Sequence, residues 1–426
     1  MGAAIFVVLH AERPAASGAR FLLHGVDRAV LGRGPVRSKR LLAEDALRID
    51  LPDGRISVEH ACLERAMGHW AVVDLGSKNG VFVNGQRVDR KAVADGDWIE
   101  IGHTFLRFWA GIDAASDFDA ALGPADPLRT LAPAFQSELD KLRQVADKNV
   151  PVLLRGETGS GKELLARSLH ALSRRPGPFV AINCGAIPPN LVEATLFGHR
   201  RGAFSGADDD RPGVVASADR GTLLLDEVGD LPPSQQAALL RVLQEKEVVP
   251  VGDTRPHKVD VRIVAATHRD LDVRVRSERF RADLLARIAG LRVIVPPLRE
   301  RIEDLGLVTT SVLTGLGATG ASLSRDAAWA LCRHGWPMNV RELEHALATA
   351  LALAPSGQIR LEHLPDAVRA GLARAADRDL SRRDELIALV REHGGNIAAV
   401  ARALGTSRAQ IHRLIVRYQI DPAAYR

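Results

Sequence analysis

Val152-Leu-Leu-Arg-Gly156-Glu-Thr-Gly-Ser-Gly161-Lys162 is the stretch from which this chain is best read. Three apolar residues end a buried strand, Gly156 and Gly161 bracket four residues, Lys162 follows, and Glu163–Leu172 has the pattern of a helix. A loop with this spacing turns its N–H groups inward around phosphate oxygens, while the helix N-terminus and the lysine attract the remaining charge. Only glycine lets the backbone approach so closely and take positive φ without strain. Gly156, Glu157, Thr158, Gly159, Ser160, Gly161, Lys162 and Glu163 are therefore the candidate nucleotide-phosphate cradle. Glu163 replaces the Ser or Thr that commonly follows the lysine and binds magnesium, so this loop by itself predicts phosphate binding rather than hydrolysis.

Hydrolysis is predicted by a second stretch. Gly221-Thr-Leu-Leu-Leu-Asp226-Glu227 is an apolar strand ending in two carboxylates, about sixty residues beyond the loop. An acidic pair at a strand's carboxyl edge lies beside the phosphate loop in α/β nucleotide sites. Asp226 is the expected magnesium ligand, and Glu227 is placed to polarise the attacking water, since phosphoryl transfer depends on positioning and charge stabilisation.

A chain of 426 residues exceeds a single core and divides at two seams. Residues 112–127 are small, acidic and proline-bearing; residues 370–384 are rich in Ala, Arg and Asp with little apolar patterning; both read as linkers. Before the first seam, short alternating segments (Ala71–Asp74, Val81–Val83, Trp98–Ile101, Thr104–Trp109) separated by Gly, Asn and Asp turns predict an all-β sandwich over 1–111. Between the seams, apolar runs (Val152–Leu154, Phe179–Ile182, Thr222–Leu225, Val261–Ala265, Arg292–Val295) alternate with amphipathic helices. This predicts a parallel α/β sheet covered on both faces over 128–369, wholly helical after Pro297. Residues 385–426 predict a small all-α unit of about three short helices.

Composition narrows the function classes. The apolar share of 46% and charged share of 26% are those of a soluble globular protein. No apolar run reaches the roughly 18 residues of a membrane helix, and the start lacks the basic region of a signal peptide. Cys62, Cys184 and Cys332 are widely spaced without metal-ligand spacing, which predicts free thiols and a cytoplasmic location with no membrane partner. The net charge of +5 permits nucleic-acid binding without demanding it.

With GETGSGKELLARSLH, PFVAINCGAIP, LFGHRRGAFSGA, GTLLLDEVGDLP, VDVRIVAATHRDL, FRADLLARIAGLRVIVPPLRERIEDL and GWPMNVRELEHAL in one order, residues 152–343 resemble the AAA+ domain of sigma-54-dependent transcriptional activators. That family also carries Glu after its lysine. The resemblance implies an ATPase using ATP and Mg2+, with a helical lid from about residue 300. It implies that Asn183 couples the γ-phosphate to Glu227, and that Thr267 with His268 forms the first sensor. Arg281 and Arg287 become arginine fingers reaching a neighbouring subunit, and Arg341 the second sensor. A finger supplied in trans implies a homo-oligomer, from dimer to hexamer. Gly202, Ala203, Phe204, Ser205, Gly206 and Ala207 become the loop that grips sigma-54 RNA polymerase holoenzyme. Ser205 stands for the family's threonine, Arg200-Arg201 for an acidic-basic pair, and Asp208-Asp209-Asp210 for a commonly basic stretch. These departures leave open a DNA-binding regulator that uses ATP only for assembly, or one that acts on another holoenzyme.

The flanking units carry resemblances of their own. Leu31-Gly-Arg33-Gly, Ser57-Val-Glu-His60-Ala and Asp74-Leu-Gly-Ser-Lys-Asn79-Gly80-Val-Phe-Val-Asn84-Gly85 lie in predicted turns and together resemble the forkhead-associated (FHA) domain. That implies phosphothreonine held by Arg33 and Ser57, the peptide backbone by Asn79, and His60 bracing the loop. A phosphothreonine protein or Ser/Thr kinase would be the partner. Asn396–Arg408 resembles the Fis-type helix-turn-helix, with Gly405 at the break and Ser407 as N-cap. Ile397, Val400, Ala401, Leu404, Ile411, Leu414 and Ile415 recur at helical spacing as its core. Arg408, Gln410, His412 and Arg413 are the candidate DNA major-groove contacts, and residues 381–420 hold seven Arg against three acidic residues.

Overall fold

The computed structural model describes residues 2–114, 116–120, 128–188, 190–404, 411, 414, 415, 418 and 420–425, with the backbone alone over 372–382 and at 423. The N-terminal unit is the expected sandwich. Its strands are β1 (Gly2–His10), β2 (Ala19–Leu22), β3 (Arg28–Arg33), β4 (Ser38–Ala43), β5 (Ala46–Leu51), β6 (Ala61–Ala66) and β7 (His69–Asp74). They are followed by β8 (Val81–Val83), β9 (Gln86–Val88), β10 (Arg90–Val93), β11 (Trp98–Ile101), β12 (Thr104–Ile112) and β13 (Phe118–Asp119). One sheet runs β13-β2-β1-β12-β11-β8-β9, the other β10-β7-β6-β3-β5-β4. Asn84 and Gly85, both at positive φ (53° and 87°), close β8 onto β9 with the twist a two-residue hairpin needs.

β1 explains how this unit sits on the next. Its side chains alternate between two apolar clusters. Ala3, Ile5 and Val7 face the sandwich interior, while Ala4, Phe6 and Val8 face helices beyond residue 300. A sheet open to water on one face would alternate apolar and polar residues. This strand is apolar on both faces because both are covered.

The central sheet holds β14 (Val152–Arg155), β15 (Phe179–Asn183), β18 (Thr222–Asp226), β21 (Arg262–Thr267) and β22 (Leu291–Ile294), in the order β15-β18-β21-β14-β22, all parallel. Successive residues of β18 feed opposite clusters: Leu223 and Leu225 pack on one face, Leu224 on the other. Short antiparallel pairs, β16 (Gly198–His199) with β17 (Arg211–Pro212) and β19 (Glu247–Val248) with β20 (His257–Lys258), stand outside this sheet. The helices about it are α1 (Pro133–Gln144), α2 (Lys162–Ser173), α3 (Val192–Phe197), α4 (Val214–Ser217), α5 (Pro233–Glu245), α6 (Leu271–Arg276) and α7 (Ala282–Ile288). The lid comprises α8 (Leu305–Gly315), α9 (Arg325–Arg333) and α10 (Asn339–Leu353).

Four expectations change. Residues 112–114 and 116–120 of the expected linker are no free tether, residues 121–127 lying outside the described residues: Phe118–Asp119 adds β13 to β2, Asp119 pairs with Arg37 at 2.5 Å, and Asp117 accepts from the Leu22 N–H at 2.7 Å. Short acidic side chains spaced along this segment meet the cations on the sandwich's face. Residues 370–384 are helical, because α11 runs unbroken over Asp366–Glu392. Ala and Arg are strong helix formers, and a helix continuing between units needs no apolar stripe. The region after Pro297 includes a two-stranded parallel ladder, β23 (Ser322–Leu323) with β24 (Gln358–Ile359). Leu404, expected in the C-terminal core, is exposed at the end of α12 (Ile397–Ala403), whereas Val400, Ala401, Ile411 and Ile415 are buried together with Leu386 and Val390 from α11. Among the described residues no helix is long and apolar enough to cross a membrane, and all three cysteines are free and buried.

Candidate nucleotide site and its flanking loops

The phosphate loop joins β14 to α2. Gly161 takes φ 100° at the helix N-cap, a conformation L side chains rarely adopt, and a methyl on Gly159 would fall 2.3 Å from the Met338 carbonyl. Lys162 is 6% exposed; its Nζ donates to the carbonyls of Gly156 (2.9 Å) and Glu157 (3.1 Å) and lies 3.9 Å from a Glu227 oxygen. Burial lowers its pKa, against the pull of Glu227 and Asp226. The Ser160 hydroxyl is buried with no hydrogen-bond partner among the described residues. Inward lysine, unpaired hydroxyl and helix N-terminus together fit a phosphate.

β18 delivers the acidic pair beside this loop. Burial raises the Asp226 pKa, partly offset by Lys162, and its Oδ1 accepts from the Glu227 N–H at 3.0 Å. Glu227 sits at φ 51°, ψ 43°, a left-handed conformation costly for a side-chain-bearing residue. That turn aims its carboxylate at His268, whose Nδ1 lies 2.7 Å from Oε2 and whose N–H donates to it at 3.2 Å. An oxygen-donor carboxylate this close to a phosphate cradle suits magnesium, which takes oxygen ligands and shares them with substrate phosphates.

The remaining expected residues divide. Asn183 pairs in register with Asp226 across β15 and β18, and its Oδ1 caps the following turn, accepting from the Gly185 N–H at 3.0 Å. Thr267 is fully buried, its hydroxyl accepting from the Arg269 N–H at 3.0 Å. Arg341 stands against the loop: a methyl on Gly159 would lie 3.1 Å from its Cβ, and its charge acts on Lys162. Glu163, at the first turn of α2, pairs with Arg167 at 2.7 Å along the helix, and its charge acts on Asp226. Arg281 and Arg287 are exposed on α7 and its N-cap, Arg281 paired with Asp283 at 2.6 Å.

Two residues escape a reading by motif. Arg299 holds Glu157 through both oxygens (2.8 and 2.5 Å), and Asn339, fully buried at the start of α10, donates to Glu157 (3.1 Å) and to the Thr158 carbonyl (3.1 Å). This grip drives the Glu157 carboxyl down to about 2, Arg299 contributing most. Arg299 stands in the charged PPLRERIEDL stretch and Asn339 in GWPMNVRELEHAL, and the order of residues in those stretches gives neither a role.

The Phe204 loop rises from the β16–β17 ladder between α3 and α4, closed by Gly202 N–H to Ala207 O at 2.8 Å. Phe204 is 36% exposed and leans on the His199 ring at 5.0 Å, while Ala207 is buried. The unusual charges here answer each other. Arg200 pairs with Asp210 (2.6 Å) and with Asp253 (2.8 Å) of the segment joining β19 and β20, and Asp210 also accepts from the Arg201 N–H at 2.8 Å.

At one end of the sandwich, three loops converge. The Arg33 N–H donates to the Ser57 carbonyl (2.9 Å), Ser57 Oγ accepts from the Lys78 N–H (3.2 Å), and Asn79 donates to the Arg55 carbonyl (2.6 Å). Buried His60 braces them, its Nδ1 accepting from the Ser57 N–H (3.0 Å) and its Nε2 facing the Gly80 carbonyl (3.1 Å). Arg33 and Asn79 stay exposed and Ser57 half-buried. Arg408, Gln410, His412 and Arg413 lie outside the described residues, as do Gly405 and Ser407; α12 is capped by Asn396, which accepts from the Ala398 N–H at 3.1 Å.

Comparison with known proteins agrees with this geometry. Residues 128–294 match the Sigma-54 interaction domain, 30–102 the FHA domain and 299–380 the AAA+ ATPase lid domain. The regulatory protein AtoC of Escherichia coli is 36% identical over 318 residues, covering 69% of this chain and 68% of AtoC. The acetoin catabolism regulatory protein of Cupriavidus necator is 42% identical over 309 residues, 68% of this chain and 46% of that protein. The crystal structure of NtrX from Brucella abortus in complex with ATP superposes with a TM-score of 0.51 at 31% identity, covering 68% of this chain and 69% of that one. The chain thus belongs to the sigma-54 activator family of AAA+ proteins and carries an FHA domain at its N-terminal side. It spans about half to three fifths of the length of several curated relatives.

Proposed function

We propose that the chain is a sigma-54-dependent transcriptional regulator that hydrolyses ATP and applies the work to sigma-54 RNA polymerase through the Phe204 loop. The observation that carries this reading is the Glu227 carboxylate, held at a left-handed turn between Lys162 and His268 at the mouth of the phosphate loop. Lys162 and the loop N–H groups bind the phosphates, and Asp226 holds magnesium, which when bound neutralises charge on the transferring phosphoryl oxygens. Glu227 orients the attacking water once it leaves His268. The exposure of Arg281 and Arg287 supports their reaching a neighbouring subunit's nucleotide in a ring of up to six copies. Arg33, Ser57 and Asn79 bind a phosphothreonine partner, and Arg408, Gln410, His412 and Arg413 contact upstream DNA.

In vitro transcription from a sigma-54 promoter tests the reading. ATP-dependent activation is expected from the wild type, lost in Phe204→Ala with ATPase retained, and Glu227→Gln should lose ATPase itself. ATPase without activation at any concentration would favour a target other than the sigma-54 holoenzyme. The phosphothreonine reading is tested on the full chain, where Arg33→Ala should abolish preference for a phosphorylated peptide.

A further inference from the structure

We propose that the FHA sandwich is built into the nucleotide site: Arg299–Asp304 grips the phosphate loop with one end and the sandwich with the other, so nucleotide binding and the sandwich's seating are linked. The inference rests on the nucleotide reading of the Lys162 site and not on phosphothreonine recognition.

The six residues Arg-Glu-Arg-Ile-Glu-Asp make contacts in two directions. Toward the nucleotide, Arg299 holds Glu157 by its fork, and buried Arg301 donates from Nη2 to the Ser160 carbonyl at 2.7 Å while lying over the Phe135 ring. Toward the sandwich, Glu303 Oε1 accepts from Trp109 Nε1 at 2.9 Å and pairs with Arg107 at 3.0 Å, both on β12. Between the two, fully buried Asp304 accepts from the Thr130 hydroxyl (2.5 Å) and the Leu131 N–H (2.6 Å). The Leu131 carbonyl in turn accepts from Arg20 of β2 at 2.8 Å. Arg301 and Asp304 face each other at 3.6 Å, tying both directions together.

This bracket has little freedom to give. Its backbone is wound into two short 3-10 turns, Leu298–Glu300 and Ile302–Asp304. Immediately after it, Gly306 rests on β1 so closely that an added methyl would lie 1.9 Å from the Val8 carbonyl. The sandwich is also seated a second time, well away from the bracket. Glu100, 1% exposed, receives the Trp329 Nε1 at 2.8 Å and Arg325 Nη2 at 2.7 Å, and Phe105 meets the Trp329 ring edge-on at 5.2 Å. Lifting the sandwich would strand buried carboxylates on both sides of the joint, so it moves with the bracket rather than apart from it. A shift of β12 displaces Glu303, and through Arg299 and Arg301 the carbonyl and carboxylate that shape the phosphate loop. Linkage is reciprocal, so nucleotide in the loop stiffens β12 in return. Glu303 is thus a positioning residue that acts on the phosphate loop through Arg299 and Arg301.

The test uses the full chain and ADP. In the wild type, saturating ADP should slow amide hydrogen exchange over 299–304 and also over 104–112 of the sandwich. In Glu303→Gln, the Kd for a fluorescent ADP and the KM for ATP should rise three- to tenfold, with kcat falling less than twofold. A role confined to stability would lower the Tm and leave the ADP Kd unchanged, which overturns the inference. So would ADP protection that stops at the phosphate loop, a result the wild type delivers even if the variant does not fold. Absence of ADP binding to the wild type would defeat the nucleotide reading and this inference with it; binding without transmitted protection defeats the inference alone.

Discussion

The joint beneath the sandwich and the clasp beneath the Phe204 loop use the same chemistry in opposite surroundings. In the joint, Arg325 meets Glu100 at 2.7 Å; in the clasp, Arg200 meets Asp210 at 2.6 Å; the two cations are alike in exposure (42% and 44%), whereas the carboxylates differ, Glu100 at 1% and Asp210 at 55%. Distance does not separate them, and solvent does. A buried carboxylate that loses its partner keeps its desolvation cost, whereas an exposed one is rehydrated at once. The first arrangement makes a permanent seat and the second a latch that can open, as a loop proposed to reach out to a polymerase must.

The contrast can be broken most forcefully at Trp329. Its indole packs edge-on against Phe105 and Trp98 and donates to Glu100. Trp329→Ala should cost about 4 kcal/mol in urea unfolding of the full chain. A cost below about 1 kcal/mol would mean that the sandwich and lid are not seated on one core. Glu100→Ala should cost about 3 kcal/mol, because it strands a buried indole N–H and a partly buried guanidinium. Equality with a surface substitution would remove the distinction drawn here.

A smaller effect sharpens the comparison from the nucleotide side, through the half-exposed Glu157–Arg299 pair. The folded carboxyl titrates near 2, below its usual value of 4.5, so its contribution to stability is complete above the usual value and fades as pH falls from 4.5 toward 2. The denaturation midpoints of wild type and Glu157→Gln should therefore converge across that interval, and a gap independent of pH would refute the pairing. The smallest effect belongs to the latch. Asp210→Ala, which removes the exposed carboxylate and leaves Arg200 on Asp253, should leave the thermal midpoint within error of wild type, and a clear drop would show that the clasp is structural.

Much of the site was legible because its chemistry is local. Lys162, Asp226 and Glu227 announce themselves by glycine spacing and by position at strand ends, and β14 and β18 place them together as expected. Glu163 was not legible: its place after the lysine cannot say whether the side chain turns inward or pairs with Arg167 one helical turn on. Residues 370–384 looked like a linker for want of an apolar stripe, yet a helix bridging two units has no need of one. The apolar run of β1 was in plain view, but a run alone does not tell which surface lies across from it.

From its own order of residues, the chain determined a β-sandwich followed by a parallel α/β unit, a phosphate loop with its acidic pair, an FHA-like set of turns and an exposed phenylalanine loop. Each depends on neighbours a few residues apart, or on strand ends that any parallel sheet brings together. Only the tertiary structure decided that the sandwich shares a core with the lid, that Arg200 finds Asp210 and Asp253, and that Arg299–Asp304 touches both the phosphate loop and β12. Those contacts join residues up to about three hundred positions apart, chosen by which apolar faces must be buried against each other.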